Sequence, residues 1–241
     1  MKLKTLSRNI FQASFFTLVS ALAFADGEII GSGAGESLSA SGPKSAQVNL
    51  FECKFTVHLE RNQHIAFNNP DIIIYENNTG ANTKAPAHLW QAETASGYNW
   101  KFKLDGAPDT YWFGSICADI SEFPEGFINK KIEGSSPELD LIRESNETHC
   151  PAKYIDGAWR PSSYVASYHN YIFQNMAGEN WNGFAVGLKY SDGQKITSLK
   201  FCLVHEDKVL IGASESDTPL SLPDDSFQRL VRTLSRIKFI D

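Results

Sequence analysis

Between Phe184 and Tyr190 the chain alternates: Phe184, Val186, Leu188 and Tyr190 are large and apolar, with Ala185, Gly187 and Lys189 between them. A period of two puts the two sets on opposite sides of a β-strand. Ser191-Asp192-Gly193-Gln194 follows, and Asp-Gly readily adopts positive φ, so a tight hairpin is expected there. The chain returns through Ile196 to His205, turns at Glu206-Asp207 and leaves through Lys208 to Ala213. Three strands joined by short turns predict an antiparallel meander. Upstream, Leu50 to Leu59, Ile72 to Tyr75, Tyr98 to Leu104, Thr110 to Cys117 and Val165 to Phe173 also read as strands, rich in β-branched and aromatic residues. Asp105-Gly106-Ala107-Pro108-Asp109, between two of them, is turn chemistry.

Helical periodicity is rarer. Ser136-Pro137-Glu138 supplies an N-cap, a proline at the first position and an early acid, predicting a short helix to about Arg143. Pro223-Asp224-Asp225 precedes Phe227, Leu230, Val231, Leu234 and Ile237, an apolar stripe at helical spacing. The aspartates sit at the positive end of that helix dipole, and Arg232, Arg236 and Lys238 at the negative end. The fold class expected is α+β: an antiparallel meander covered by a C-terminal helix and stapled by disulfides.

The N-terminus changes the setting. Lys2, Lys4 and Arg8 precede an apolar run from Phe15 to Phe24, and Ala23-Phe24-Ala25 offers small residues for signal peptidase. Residues 1–25 therefore read as a signal peptide cleaved before Asp26, which directs the protein to the periplasm or outside the cell. Residues 26–46, dominated by Gly and Ser, read as a flexible leader, because so few apolar side chains do not offset ordering entropy. Residues 47–241 read as a single α+β domain.

The net charge is −6, and removing the first 25 residues leaves 19 basic against 28 acidic side chains. Such a chain is ill suited to nucleic acid or an anionic membrane, and it has no further apolar run that would anchor it. Cys53, Cys117, Cys150 and Cys202 are even in number and lack C-x-x-C spacing, so two structural disulfides are expected in an oxidising compartment. Three pairings are open, and the expected one joins Cys117 to Cys150 across the irregular middle and Cys53 to Cys202 between strands.

Catalytic signatures are sparse. The chain has no G-x-S-x-G elbow, no H-E-x-x-H, no EF-hand loop and no complete phosphate-binding glycine motif, so no metal or cofactor is implied. Of six histidines, His58 and His205 fall in strands, and His169 keeps the most functional company, between Tyr164, Tyr168 and Tyr171. Glu122 with Glu125, Asp105 with Asp109, or Glu206 with Asp207 could form a glycosidase pair, which is defined by separation in space. Trp100 and Trp112 read as core. Trp159 and Trp181 lie in polar, turn-like stretches and read as exposed anchors for a partner, joined by Glu206 and Asp207 on the last turn. Asn77-Asn78-Thr79 and Asn146-Glu147-Thr148 match the glycosylation sequon.

The C-terminal third carries a resemblance. Phe184 to Tyr190, Ser198 to His205, Val209 to Ser214 and the closing Asp224-to-Ile237 segment, with its Leu234-Ser235-Arg236-Ile237 phrase, resemble periplasmic immunity proteins of bacterial type VI secretion systems, of the kind that neutralise phospholipase effectors. That resemblance implies a non-catalytic protein that binds and neutralises a secreted toxin, and it carries over no catalytic residue. The other reading from the residues is an exported carbohydrate-active protein, a glycoside hydrolase or lectin-like binder, built on the aromatics and a carboxylate pair.

Overall fold

The computed structural model describes residues 28–76, 87–94, 97–104, 110–128, 134–168, 170–190, 195–215 and 220–240. The signal-peptide segment, the sequon at Asn77, the turn at Asp105 to Asp109, His169 and the hairpin at Ser191 to Gln194 lie outside them. The strands in chain order begin with β1 (Ile29–Ile30), β2 (Ser39–Ser41), β3 (Lys44–Leu50), β4 (Cys53–Leu59), β5 (Gln63–Phe67) and β6 (Ile72–Glu76). They continue with β7 (Ala87–Thr94), β8 (Gly97–Leu104), β9 (Trp112–Asp119), β10 (Ala152–Ile155) and β11 (Ala158–Pro161). Last come β12 (Tyr171–Ala177), β13 (Asn182–Lys189), β14 (Ile196–His205), β15 (Lys208–Ser214) and β16 (Lys238–Phe239). The helices among the described residues are α1 (Pro137–His149), α2 (Ser163–Ala166), α3 (Ser226–Leu234) and a 3-10 turn at Ile120–Glu122.

Eight strands form a fully antiparallel central sheet in the order β12-β13-β14-β15-β9-β6-β5-β2. The expected meander is its β13-β14-β15 section, with Phe184 opposite Cys202 and Cys202 opposite Ile211. β14 and β15 are buried on both faces, which requires a layer on each side. Register says what each face carries. Phe184, Val186, Lys200, Cys202, Ile211, Ala213 and Gly114 share one face; Ala185, Gly187, Phe201, Leu203, Leu210, Gly212 and Cys117 share the other.

On the first face lie α1, the β7–β8 hairpin and the β10–β11 hairpin. Gly114 has no side chain where the Phe102 ring of β8 lies; a Cβ there would stand 2.2 Å from it. On the second face sit α3 and a smaller sheet, β1-β3-β4-β16, in which only β1 is parallel to its neighbour. Ala46, Val48 and Leu50 of β3 and Phe55, Val57 and Leu59 of β4 alternate inward, and each of these but Ala46 stabilises the fold by roughly 1.5–3 kcal/mol.

Several expectations are corrected. The disulfides are Cys53–Cys117 and Cys150–Cys202. Cys117 projects toward the small sheet and Cys202 toward α1, so Cys117 cannot reach Cys150, nor Cys202 reach Cys53. The 26–46 stretch is not a free leader from Glu28 onward. It supplies β1, β2 and the start of β3, buries Ile30 and Ala40, and is tied by Glu36, which accepts from Gly33 N at 2.6 Å and Asn49 Nδ2 at 2.9 Å. Backbone pairing to existing sheets holds it, which composition does not reveal.

The predicted strand from Val165 to Phe173 is instead α2 followed by β12, which starts at Tyr171. The helix capped by Ser136, whose side chain accepts from Leu139 N, runs past Arg143 to His149. The C-terminal helix is present but stops at Leu234. Ile237 is buried from the turn that follows, before β16 pairs Phe239 with Phe55. Phe227 of α3 covers Gly187. Among the described residues it is one of three α-helices, so the covering is shared by helices and a second sheet.

Candidate functional site

One end of the central sheet gathers the turns that bear charge. His205 and Lys208 pair across the two-residue turn Glu206-Asp207, with Glu206 at φ 53° and both carboxylates in solvent. In the neighbouring register position Asp119 ends β9 opposite Lys208. Asp119 caps the 3-10 turn, accepting from Ser121 N at 2.9 Å and Ser121 Oγ at 2.7 Å, while Glu122 accepts from Asp119 N at 3.3 Å. The tip of the β3–β4 hairpin reaches the same place because Cys53 is bonded to Cys117. That tip presents Glu52 and Phe51, which is 55% exposed and held at φ 56°, a left-handed conformation that bulky residues rarely take.

Lys208 is the centre of this arrangement. Its Nζ pairs with Glu52, lies 2.9 Å from Asp119 Oδ2 and 3.7 Å from Asp207 Oδ2. Three carboxylates around one ammonium leave the cluster negative. Hydrogen bonding to Glu52 and then to Asp119 raises the Lys208 pKa. Burial works to raise Asp119, but its bonds from Lys208 and Ser121 outweigh that and bring it down to about 2. Glu122, half buried, is pushed up by that burial.

Three shallow clefts run across this end. One of about 430 Å³ lies among Phe51, Pro70, Trp100, Asp119 and Glu122. A second, about 490 Å³, is lined by Phe51, Lys54, His205, Asp207 and Lys208, and a third, about 450 Å³, by Tyr154, Glu179, Trp181 and Glu206. The first two share Phe51, Glu52 and Lys208, and the last two share Glu206, so they form one grooved, acid-rimmed surface. Among the described residues no cluster of His, Cys, Asp and Glu could hold a metal ion.

No protein-family model, curated protein or solved structure matches the chain. What this surface can do is read from its own chemistry.

The structure brings Trp181, Glu206 and Asp207 to this end, but not in equal roles. Trp181 is buried, lies across Gly178 and donates its Nε1 hydrogen to Ile237 O at 2.8 Å. Trp159 is likewise buried, 5.1 Å from Phe127 and 5.3 Å from Phe184, with Nε1 donating to Asn182 Oδ1 at 2.9 Å. Both are corrections: the polar stretches around them predict exposed anchors, whereas Asn182 serves the Trp159 N–H, the Ile237 carbonyl serves that of Trp181, and both rings are buried. Glu206 and Asp207 are exposed, as expected of a turn. Phe51, Glu52, Asp119 and Lys208 went unnoticed in the sequence. The strand expected from Leu50 to Leu59 takes in Phe51 and Glu52; the structure corrects this, ending β3 at Leu50, starting β4 at Cys53 and making the two residues the turn between them.

A second titratable cluster is of a different kind. Glu215 lies 3.2 Å from His149 Nε2 and 3.2 Å from Lys200 Nζ; Lys200 also donates to Thr148 O at 3.1 Å. His149 Nδ1 is 2.8 Å from Ser145 O, and its ring stacks on Trp100 with centroids 3.6 Å apart. Burial favours the neutral carboxyl, but Lys200 and then the hydrogen bond from His149 outweigh it and hold Glu215 at about 2. His149 and Lys200 are almost wholly buried and every member is partnered, as a structural network requires. Asn146 of the second sequon is buried too: it accepts from Trp100 Nε1 at 3.3 Å and donates to Glu122 O at 3.0 Å, so its side-chain amide is already engaged. Of the suggested carboxylate pairs, Glu122 is used in the cap while Glu125 is exposed.

Proposed function

We propose that this is an exported, non-catalytic protein of the periplasm that binds and neutralises a secreted toxin, using the acidic end of its sheet. The observation that carries the reading is the gathering of Glu52, Asp119 and Asp207 about Lys208, next to the outstanding Phe51 and the exposed Glu206. A protruding aromatic supplies buried area on docking, and surrounding carboxylates steer a basic partner surface toward it. The partner expected is therefore a protein whose active-site rim is rich in Lys and Arg. Two disulfides support life in an oxidising compartment. Among the described residues no helix is long and apolar enough to cross a membrane. The polar cluster with the most enzyme-like composition, His149-Glu215-Lys200, is buried and internally satisfied, which favours binding over turnover.

The test joins capture with protection. Proteins retained by the immobilised chain after a moderate salt wash are identified, and each is directed to the periplasm of a host with and without this protein. A basic, growth-inhibiting protein whose effect is abolished by co-expression supports the reading. Protection should fail when Phe51→Ala is combined with Glu206→Lys and Asp207→Lys, provided that variant melts like the parent. A retained partner that inhibits growth equally in both hosts would remove the proposal. So would full protection by the triple variant.

A further inference from the structure

The central sheet has two edges, and they are built differently. β2 is three residues long. β12 is seven residues long, pairs with β13 in unbroken register, and among the described residues no strand lies beyond it. Natural edges are usually blunted by charge, proline, a bulge or shortness. β12, Tyr171-Ile172-Phe173-Gln174-Asn175-Met176-Ala177, has no charged residue and no proline, and its register has no bulge.

Hydrogen bonding shows which groups point outward. Lys189 N donates to Asn170 O at one end, and Gly178 N donates to Trp181 O at the other. Alternation between these points turns Ile172, Gln174 and Met176 toward β13. It leaves the N–H and C=O groups of Tyr171, Phe173, Asn175 and Ala177 facing away from the sheet. Asn175 does bond to Trp159, but through its side-chain amide, at 2.6 and 3.1 Å.

We infer that β12 pairs with β12 of a second copy, antiparallel about a two-fold axis through Gln174, making one continuous sheet across the dimer. This register matches the outward groups of both strands: Tyr171 faces Ala177 and Phe173 faces Asn175 of the other copy. Ile172 meets Met176, and Gln174 meets itself. The occupant is a second copy because the strand is complementary to itself. The chain as a whole carries a charge of −6, which opposes self-association over most of its surface, whereas here every paired side chain is uncharged, Ile172 packs on Met176, and the Gln174 amides meet at the axis. This edge runs along the side of the sheet and does not rely on the toxin-binding reading.

Gln174 is exposed and sits on the dyad, so it is the position to change. Sedimentation equilibrium of the oxidised protein over the micromolar range should give a dimer. Gln174→Lys opposes two ammonium groups at the axis and should weaken the dimer by roughly fivefold or more, with the thermal melt unchanged. Gln174→Cys places two Cα atoms about 4.5 Å apart across a non-hydrogen-bonded pair, within disulfide reach. It should cross-link on mild oxidation, whereas Gln228→Cys, exposed on α3, should not. A monomer at every concentration would overturn the inference. So would a dimer indifferent to Gln174→Lys, or equal cross-linking at positions 174 and 228.

Discussion

Replacing Glu215 with Gln tests the buried network directly. The carboxyl titrates at about 2 in the folded protein against 4.5 for an unperturbed glutamate. A depressed carboxylate pKa adds stability that is fully present above the unfolded value. It fades as pH falls and is gone once the folded value is passed. At about 1.4 kcal/mol per pH unit, the difference amounts to about 3 kcal/mol. The side chain is only 17% exposed, so solvent screens little of this. Urea unfolding followed by circular dichroism, at a series of pH values from neutral downward, measures it. Other carboxylates, Asp119 among them, also titrate in this range, so the informative quantity is the difference between parent and variant. The parent should lose about 3 kcal/mol more than Glu215→Gln as pH falls from 5 toward 2, and the two stabilities should converge at the acid end. Lower stability of the variant at neutral pH would not suffice, since a stranded Lys200 alone would cause that. Parallel pH profiles would refute the reasoning and mean that Glu215 is no better stabilised folded than unfolded.

Removing Cys150 and Cys202 together, as serines, should cost about 4 kcal/mol from the closure entropy of their 52-residue separation, read as a shift in urea midpoint. Gly212→Ala puts a Cβ 2.1 Å from the Phe201 ring and should destabilise by about 1–3 kcal/mol through overpacking, visible in the same melts; a neutral result would mean that the ring moves freely. Trp181→Phe keeps most of the buried ring but strands Ile237 O, so it should cost about 1–2 kcal/mol of stability. Affinity for the proposed partner, measured by calorimetry on the still-folded protein, should change little, whereas Phe51→Ala should leave stability within about 0.5 kcal/mol and weaken that binding.

The sequence revealed most where one local pattern met no competitor. Strict alternation from Phe184 onward and the turn at Glu206-Asp207 became β13 to β15 with the expected order. The Ser136 cap and the stripe from Phe227 to Leu234 became helices. Errors arose where a long-range partner decided the outcome. Ile30 and Ala40 are buried because sheets formed elsewhere accept their strands, although the segment around them is Gly- and Ser-rich. Trp159 and Trp181 look loop-like in a polar stretch, yet Asn182 and the Ile237 carbonyl satisfy their N–H groups and allow both rings to be buried. The acidic end was half legible. Glu206 and Asp207 occupy a recognisable turn, but Glu52, Asp119 and Lys208 meet only through sheet register and the Cys53–Cys117 bond, which no local window contains.

Each disulfide fastens one covering layer to one face of the central sheet, and the two are joined in the plainest order along the chain. The first cysteine is bound to the second and the third to the fourth, with no interleaving. On the export route proposed above, a chain threaded into an oxidising space from its N-terminus presents Cys53 and Cys117 together before Cys150 arrives. An oxidase that links cysteines as they emerge therefore leaves the native bonds, and no isomerase is required to correct them. Maturation of this protein should tolerate loss of disulfide reshuffling and fail only when disulfide formation itself is blocked.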